Sequence, residues 1–205
     1  MKNQNIQTRI RIQTLMELAG DMKGKIVLDL GATNITISEK LKAKKIITLD
    51  VSDKKEMTIK CDLNEDKIPL KDNSVHIILA GELIEHIPNT LFFLSECKRI
   101  LKKDGFLVLS TPNICSLKER IRMLFGELPG QCSRYSHRGE DKYNTHVRDF
   151  NLKEISKAME LSGLKIVEAR SNGIISHSKL LFPVKLTPTT FGDTLMLKIG
   201  HRKFS

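Results

Sequence analysis

The chain has 205 residues, 40% of them hydrophobic and 28% charged, a composition typical of a globular protein and not of a disordered or fibrous one. The net charge of +10 suits a polyanionic partner, but the lysines are dispersed, so charge alone indicates no nucleic-acid-binding segment. No apolar run approaches the roughly 20 residues that cross a bilayer, and the N-terminus shows no secretory signal. The four cysteines form no CxxC pair, which argues against a zinc knuckle or a dithiol redox site. We therefore expect a single cytoplasmic domain without a transmembrane segment.

The first element predicted along the chain is an amphipathic helix within residues 1–22, where Ile6, Ile10, Leu15 and Leu18 recur at helical spacing. Short apolar runs without alternation follow, as expected of strands that are buried on both faces of a sheet. These predicted strands are Lys25–Leu30, Ile46–Leu49, Met57–Ile59, Val75–Ala80, Phe106–Ser110, Leu164–Ala169 and Thr194–Ile199.

Two predicted helices between these strands carry end signals. One runs from the capping residue Asn89 to Lys103 and is ended by Gly105; the other runs from Asn151, which begins a capping box, to Gly163. Strands that alternate with helices predict a doubly wound, three-layer α/β/α fold with a mostly parallel seven-stranded sheet. The last strand follows a loop instead of a helix, so we expect it to pair antiparallel with the strand near Leu164.

The predicted strand ends carry residues suited to a nucleotide-containing cofactor. The first strand ends in Asp29-Leu30-Gly31, and a helix is expected from about Ile35. A glycine in such a turn lets the backbone approach a ligand closely. The second strand ends in Asp50, about twenty residues further on, where a carboxylate can accept hydrogen bonds from two ribose hydroxyls.

In order, these features and five further segments resemble the class I S-adenosylmethionine-dependent methyltransferases, which have a Rossmann-like fold. The resemblance extends from about Lys23 to Lys203. It implies one methyltransferase domain over residues 1–205, with a lid or acceptor-side insertion at residues 112–150. The further segments are Cys61–Leu63, Ile68–Ser74, Gly81–Ile87, Arg99–Gly105 and Ser110–Asn113.

The same resemblance implies which residues contact S-adenosylmethionine. The implied cofactor-binding residues are Asp29, Gly31, Thr33, Asp50, Asp62, Leu63, Ala80 and Glu82. For Asp50 and Asp62 the alternative is that each carboxylate only caps the next turn. The family usually has glycine where this chain has Thr33 and Ile35, and a side chain there narrows the cofactor turn. A non-catalytic, cofactor-binding subunit is therefore kept as an alternative.

An acidic and histidine-containing motif follows the fourth predicted strand. Glu82, Glu85 and His86 have the spacing that places three side chains on one face of a helical turn, and His146 lies in a later polar stretch. The motif resembles metal-assisted 2′-O-methyltransferases of small RNA ends, and its first part resembles ubiquinone-pathway O-methyltransferases. This resemblance implies either a divalent metal on all four residues or direct catalysis by His86 with Glu82 and His146, and a structural role for the histidines stays open.

The predicted function is O-methylation of a small hydroxylated metabolite or saccharide. Segments 110–129 and 146–150 resemble methyltransferases of glycan and lipid-saccharide pathways, with a lid or packing helix whose apolar stripe contains Leu117, Ile121 and Leu124. The alternative is an RNA 2′-O-methyltransferase, which the +10 charge favours and the low aromatic content of 5% opposes.

Overall fold

The computed structural model describes residues 6–31, 42–51, 58–130, 146–176, 179–182 and 184–202. Its helices are α1 (Ile6–Ala19), α2 (Thr90–Ile100), α3 (Leu117–Leu124) and α4 (Leu152–Leu161), with 3-10 turns at Ile84–His86 and Val184–Leu186. Its strands are β1 (Ile26–Leu30), β2 (Lys45–Asp50), β3 (Ile59–Lys60), β4 (Val75–Gly81), β5 (Leu101–Pro112), β6 (Leu164–Ser171), β7 (Ile174–Ser176), β8 (Lys179–Phe182) and β9 (Thr194–His201).

Seven of these strands form one sheet in the order β3-β2-β1-β4-β5-β9-β6. The pairs among β1 to β5 are parallel, whereas β9 is antiparallel to both β5 and β6. The predicted mostly parallel sheet with an antiparallel last strand is therefore confirmed. The predicted third strand is displaced, since β3 begins at Ile59, and the helix expected from Ile35 lies outside the described residues.

The two faces of the sheet are covered by different helices, as the three-layer prediction requires. On one face, buried side chains of α2 and α4, such as Leu94 and Met159, belong with Leu28 of β1 to the larger apolar cluster. On the other face, Leu15 and Leu18 of α1 pack against alternate strand residues in a second cluster. Burial of both faces explains why the strand sequences do not alternate between apolar and polar residues.

Both predicted capping residues act as caps, but the predicted end of α2 is wrong. The side chain of Asn89 accepts a hydrogen bond from the Phe92 amide, and that of Asn151 accepts one from the Glu154 amide. Helix α2 ends at Ile100, because the next residue already has the extended backbone of β5. Gly105 lies inside β5 and does not end the helix.

The helix predicted after β5 as a lid or a packing helix forms, and its apolar stripe is largely exposed. Ser116 caps α3 through its side chain, which accepts a hydrogen bond from the Glu119 amide. Leu124 and Phe125 are nevertheless 84% and 80% exposed, so the stripe faces away from the core. The antiparallel pair of β7 and β8 was not predicted from the sequence at all. Within the described ranges, none of the helices is both long enough and apolar enough to cross a membrane.

Candidate functional site

The residues of the candidate site meet at one edge of the sheet. The register pairs Leu30 of β1 with Leu49 of β2 and with Ala80 of β4, and it pairs Gly81 with Ser110 of β5. The residues that follow these positions therefore leave the sheet side by side at the carboxyl ends of the parallel strands, where ligands bind in open α/β sheets.

Gly31 makes the turn that leaves β1. Its φ of +66° lies in the left-handed region, which favours glycine, and its amide donates a 2.9 Å hydrogen bond to the Leu49 carbonyl. A Cβ on Gly31 would lie 3.2 Å from Cδ1 of Leu83, so the space above the turn is tight. The sequence prediction of a glycine turn with close approach is consistent with this geometry. Thr33 and Ile35, which raised the non-catalytic alternative, lie outside the described residues.

Two carboxylates line the first two strands next to this turn. Asp29 of β1 is 5% exposed, and burial raises its pKa from its usual value near 3.8 to about 7. A cationic ligand group beside Asp29 would offset this cost of burying the charge. Asp50 is the last residue of β2 and is also buried, in the position predicted for a ribose-binding carboxylate. Both roles remain predictions.

Three other predicted cofactor contacts have clear structural roles. The Oδ1 atom of Asp62 accepts hydrogen bonds from the amide and the side chain of Asn64, as in a local turn. Leu63 and Ala80 are buried in the larger apolar cluster. The geometry of Asp62 is thus that of the capping alternative, and cofactor contacts of Leu63 and Ala80 remain predictions.

Glu82 follows β4 with an unusual backbone. Its φ is +52°, a left-handed value that is uncommon outside glycine, and its amide donates to the carbonyl and Oγ of Ser110. Its Oε2 lies 3.1 Å from Nη1 of Arg11 on α1. The predicted single helical turn carrying the whole motif is therefore wrong, because only Ile84–His86 is helical and Glu82 stands outside that turn.

Glu85 is the most deeply buried acid of the motif, at 1% exposure. Its Oε2 accepts a 3.0 Å hydrogen bond from Oγ1 of Thr111, while its buried Oε1 has no hydrogen-bond partner among the described residues. Burial, followed by the nearby charge of Glu82, raises the pKa of Glu85 to about 8. An unpaired buried acceptor of this kind is suited to a cation or to a donor group of a ligand.

The backbone of Glu85 also brings the last histidine into the site. Its carbonyl accepts hydrogen bonds from the amides of Val147 at 2.9 Å and Arg148 at 3.2 Å. These bonds hold His146 beside His86, with the ring centroids 4.9 Å apart and the planes at 74°. Potential ligand atoms of Glu85, His86 and His146 all lie within 4.8 Å of one another.

The structure thus joins three of the four predicted metal-binding residues into one group, which we call the acid–histidine cluster: Glu85, His86 and His146. Glu82 is not part of it, since its carboxylate turns to Arg11. One carboxylate and two imidazoles form a donor set that suits manganese, iron or zinc better than magnesium. The same imidazoles can also accept a proton.

The sequence reasoning missed two residues of this site. Arg11 lies in the opening helix, where nothing in the local pattern distinguishes it from the neighbouring Arg9. Thr111 belongs to a segment that the resemblance included, but without a role as the donor to Glu85. The contacts of Arg11 with Glu82 and of Thr111 with Glu85 join distant parts of the chain, so no local sequence pattern predicts them.

A cavity of about 580 Å³ lies near this edge, between α1 and β6. Gln13 and Thr14 line it from α1, and Thr187 and Thr189 line it from the segment before β9. The two charged residues on its wall are paired, because Arg170 lies 2.9 Å from Glu17. The cavity therefore offers hydroxyl and amide groups and little unbalanced charge.

Comparisons with known proteins agree with the fold. A family described as "Methyltransferase domain" matches residues 4–169. A probable S-adenosylmethionine-dependent methyltransferase of Mycobacterium tuberculosis is 40% identical over 163 residues, covering 67% of this chain and 53% of that protein. A ubiquinone biosynthesis O-methyltransferase of Actinobacillus pleuropneumoniae is 29% identical over 124 residues, covering 51% and 53%. The chain spans about half the length of these two relatives.

Solved structures resemble the chain over nearly its whole length. A structure from Thermotoga maritima described as a SAM-dependent methyltransferase, possible histamine N-methyltransferase, has a TM-score of 0.65 at 18% identity and covers 95% of this chain and 91% of its own. A 1,6-didemethyltoxoflavin-N1-methyltransferase of Burkholderia thailandensis has a TM-score of 0.61 at 12% identity, with 98% and 80% covered. At these identities the likeness concerns the fold.

The sheet order, the glycine turn and the strand-end carboxylates define a Rossmann-like methyltransferase fold. With the family match over residues 4–169, the chain belongs to the class I S-adenosylmethionine-dependent methyltransferases.

Proposed function

We propose that this protein transfers a methyl group from S-adenosylmethionine to a hydroxyl group of a small metabolite or saccharide. The observation that carries the proposal is the acid–histidine cluster, which lies at the carboxyl edge of the sheet beside the predicted cofactor turn. The similarity to proteins named as ubiquinone biosynthesis O-methyltransferases supports a hydroxyl acceptor. The cavity between α1 and β6, whose two charged wall residues Glu17 and Arg170 are paired with one another, supports a hydroxylated acceptor.

The cofactor side fits S-adenosylmethionine, which when bound would supply an activated methyl group on a sulfonium. Gly31 makes a left-handed turn without a side chain, so the backbone can approach the methionine part. The buried carboxylate of Asp29 would bind the cofactor ammonium, and that of Asp50 would accept hydrogen bonds from the ribose hydroxyls.

On the acceptor side, methyl transfer to oxygen requires alignment of the acceptor and removal of its proton. His86 would accept that proton, with His146 packed edge-on against its ring. The hydrogen bonds from Val147 and Arg148 to the Glu85 carbonyl fix this arrangement, so the imidazoles are held in place before the acceptor arrives.

A divalent cation on the acid–histidine cluster is the alternative form of the proposal, in which His86 is a metal ligand and not the base. The unpaired Oε1 of Glu85 and the imidazoles of His86 and His146 would hold it. Such an ion would lower the pKa of a bound hydroxyl. Elemental analysis of protein purified without chelator tests this form, and Glu85→Gln is expected to lose the metal. Absence of a first-row metal from the unmodified protein, together with no uptake of added Mn²⁺, would contradict it.

Cofactor binding is tested first, by calorimetry with S-adenosylhomocysteine. We expect saturable binding that Asp50→Asn weakens by about tenfold or more, as for loss of two hydrogen bonds to a charged group. Asp104→Asn is the matched control, since Asp104 is exposed near the opposite end of β5. Equal affinity in both variants would contradict the ribose role of Asp50.

Methyl transfer is then tested with deuterium-labelled S-adenosylmethionine and a panel of catechols, sugars and short RNAs. Mass spectrometry should find the labelled methyl on oxygen in a catechol or sugar. Label only in RNA, with binding that weakens steeply as salt rises, would support the RNA alternative instead. No label in any acceptor despite tight cofactor binding would support the non-catalytic subunit.

A further inference from the structure

Two carboxylates, those of Glu82 and Glu85, lie three residues apart in the segment that follows β4. Both acids have a buried Oε1 without a hydrogen-bond partner in the described ranges. The pair therefore needs positive charge, and Arg11 is one cation that the fold supplies.

Arg11 binds one of these acids directly. Its Nη1 lies 3.1 Å from Oε2 of Glu82, and both side chains are about three-quarters buried, so solvent screens the pair only in part. In Glu85, by contrast, Oε2 accepts a hydrogen bond from the neutral hydroxyl of Thr111. Arg11 therefore forms an ion pair with Glu82, whereas His86 and His146 lie next to Glu85.

The backbone explains why the two acids separate. Glu82 takes a left-handed φ of +52°, fixed by its amide bonds to Ser110, whereas Glu85 lies in the 3-10 turn with His86. Had a single helical turn continued from Glu82, its carboxylate would share a face with that of Glu85. The kink directs Glu82 to Arg11 instead.

We propose that Arg11 is a positioning residue that holds Glu82 out of the acid–histidine cluster, so that a divalent cation there receives three protein ligands instead of the four that the sequence motif offers. A metal site with three protein ligands keeps positions for exogenous oxygen ligands, whereas a site closed by protein ligands does not. Arg11 thereby reserves room for acceptor hydroxyls. This inference rests on the metal-binding form of the proposed function.

The test is a double-mutant cycle on Mn²⁺ affinity, measured by calorimetry on the full chain. In the unmodified protein, Glu82→Gln should leave the dissociation constant for Mn²⁺ within about twofold. Arg11→Gln should tighten Mn²⁺ binding by about tenfold, because Glu82 becomes a fourth ligand and a nearby cation is removed. In that background Glu82→Gln should reverse the gain.

Two control variants separate this role from a general effect of α1. Arg9→Gln removes an exposed arginine of the same helix and should bind Mn²⁺ like the unmodified protein. Arg11→Lys retains the charge and should bind Mn²⁺ with nearly the unmodified affinity, and Arg11→Met replaces Arg11→Gln if that variant does not fold.

Weaker Mn²⁺ binding by Glu82→Gln in the presence of Arg11 would overturn the inference, because Glu82 would then be a ligand already. Equal affinity of Arg11→Gln with and without Glu82→Gln would overturn it as well. If no variant binds Mn²⁺, the inference fails, while the labelled-methyl assay still decides the proposed function independently.

Discussion

Thr111 of β5 donates a 3.0 Å hydrogen bond from its Oγ1 to Oε2 of Glu85, and both residues are almost fully buried. The backbone carbonyl of the same Glu85 accepts hydrogen bonds from the amides of Val147 and Arg148, next to His146. One residue of the 3-10 turn after β4 therefore connects the sheet edge, the neighbouring strand and the later histidine. The geometry of the candidate site depends on this connection.

Replacing Thr111 by Val should reduce both stability and activity, whereas a control variant with a similar loss of stability should keep its activity. The change removes the donor to Glu85 at nearly constant volume and should lower the free energy of unfolding by about 1–2 kcal/mol. Thr90→Val is the matched control, because Thr90 is also buried and donates to the Ile87 carbonyl, outside the acid–histidine cluster. Urea denaturation should show similar losses for both variants, and the labelled-methyl assay should show a loss in kcat/KM of about tenfold for Thr111→Val alone. Equal activity of the two variants would contradict the positioning role of Thr111.

Replacing Gly31 by Ala should abolish most cofactor binding. An alanine at a φ of +66° costs roughly 1–2 kcal/mol, and its Cβ would also crowd Leu83 and the space above the turn. Gly24→Ala carries the same backbone cost at +74°, but no atom lies within 4 Å of the added Cβ. Thermal unfolding should show that both variants are destabilised, Gly31→Ala more so because of its contact with Leu83, while calorimetry with S-adenosylhomocysteine should show weaker binding for Gly31→Ala only. Unchanged binding by Gly31→Ala would place the cofactor elsewhere.

Much of the fold could be predicted from the sequence, because the signals are local. The side chains of Asn89 and Asn151 cap helices through amides only three residues away, and continuous apolar runs mark strands covered on both faces. The end of α2 was mispredicted because the chain turns directly into β5, and the amides of Asn73 and Ser74 bond to the carbonyls of Arg99 and Ile100, the last two residues of the helix. No pattern within the helix reports those partners.

The sequence predicted which residues belong to the candidate site, but not how all of their side chains are arranged. The resemblance implied a group of four residues that includes Glu82, and the structure brings the potential ligand atoms of the other three, Glu85, His86 and His146, within 4.8 Å of one another. The position of Glu82 could not be predicted, because it depends on a left-handed backbone and on Arg11, a residue from the other end of the chain. An electrostatic contact between distant segments produces no repeating pattern of residues, so it cannot be predicted from the sequence.

Glu96 of α2 is expected to be a stability residue without a role in methyl transfer. It is buried, bonds twice to the guanidinium of Arg99 and accepts from the Ile68 amide, and the bond to Arg99 holds its pKa below its usual value. Glu96→Ala should cost about 3 kcal/mol, because it leaves Arg99 and a buried amide without this partner. Asp72→Ala removes the exposed partner of Arg99 and should cost less than about 1 kcal/mol. Urea denaturation distinguishes the two, and similar losses would contradict this assignment.

Asp29 predicts an unusual dependence of stability on pH. Its pKa is about 7 in the folded protein but near 3.8 when the chain is unfolded, so between these values the folded state keeps a proton that the unfolded state has released. The contribution of Asp29 to the free energy of unfolding therefore falls as pH rises from about 4 to 7, by at most about 4 kcal/mol. Asp29→Asn, which cannot ionise, should remove this decline.

The measurement is urea denaturation at pH 5 and pH 7.5 for the unmodified protein and for Asp29→Asn, without cofactor. The loss of stability between the two pH values should be smaller in the variant, and Asp21→Asn, which changes an exposed acid, should behave like the unmodified protein. Binding of S-adenosylhomocysteine should oppose the decline, because its ammonium group stabilises the ionised form of Asp29. Calorimetry in buffers of different ionisation enthalpy should then detect proton release at pH 6, and this release should be absent in Asp29→Asn. If both proteins lose equal stability and release equal numbers of protons, Asp29 is not the group that faces the cofactor ammonium.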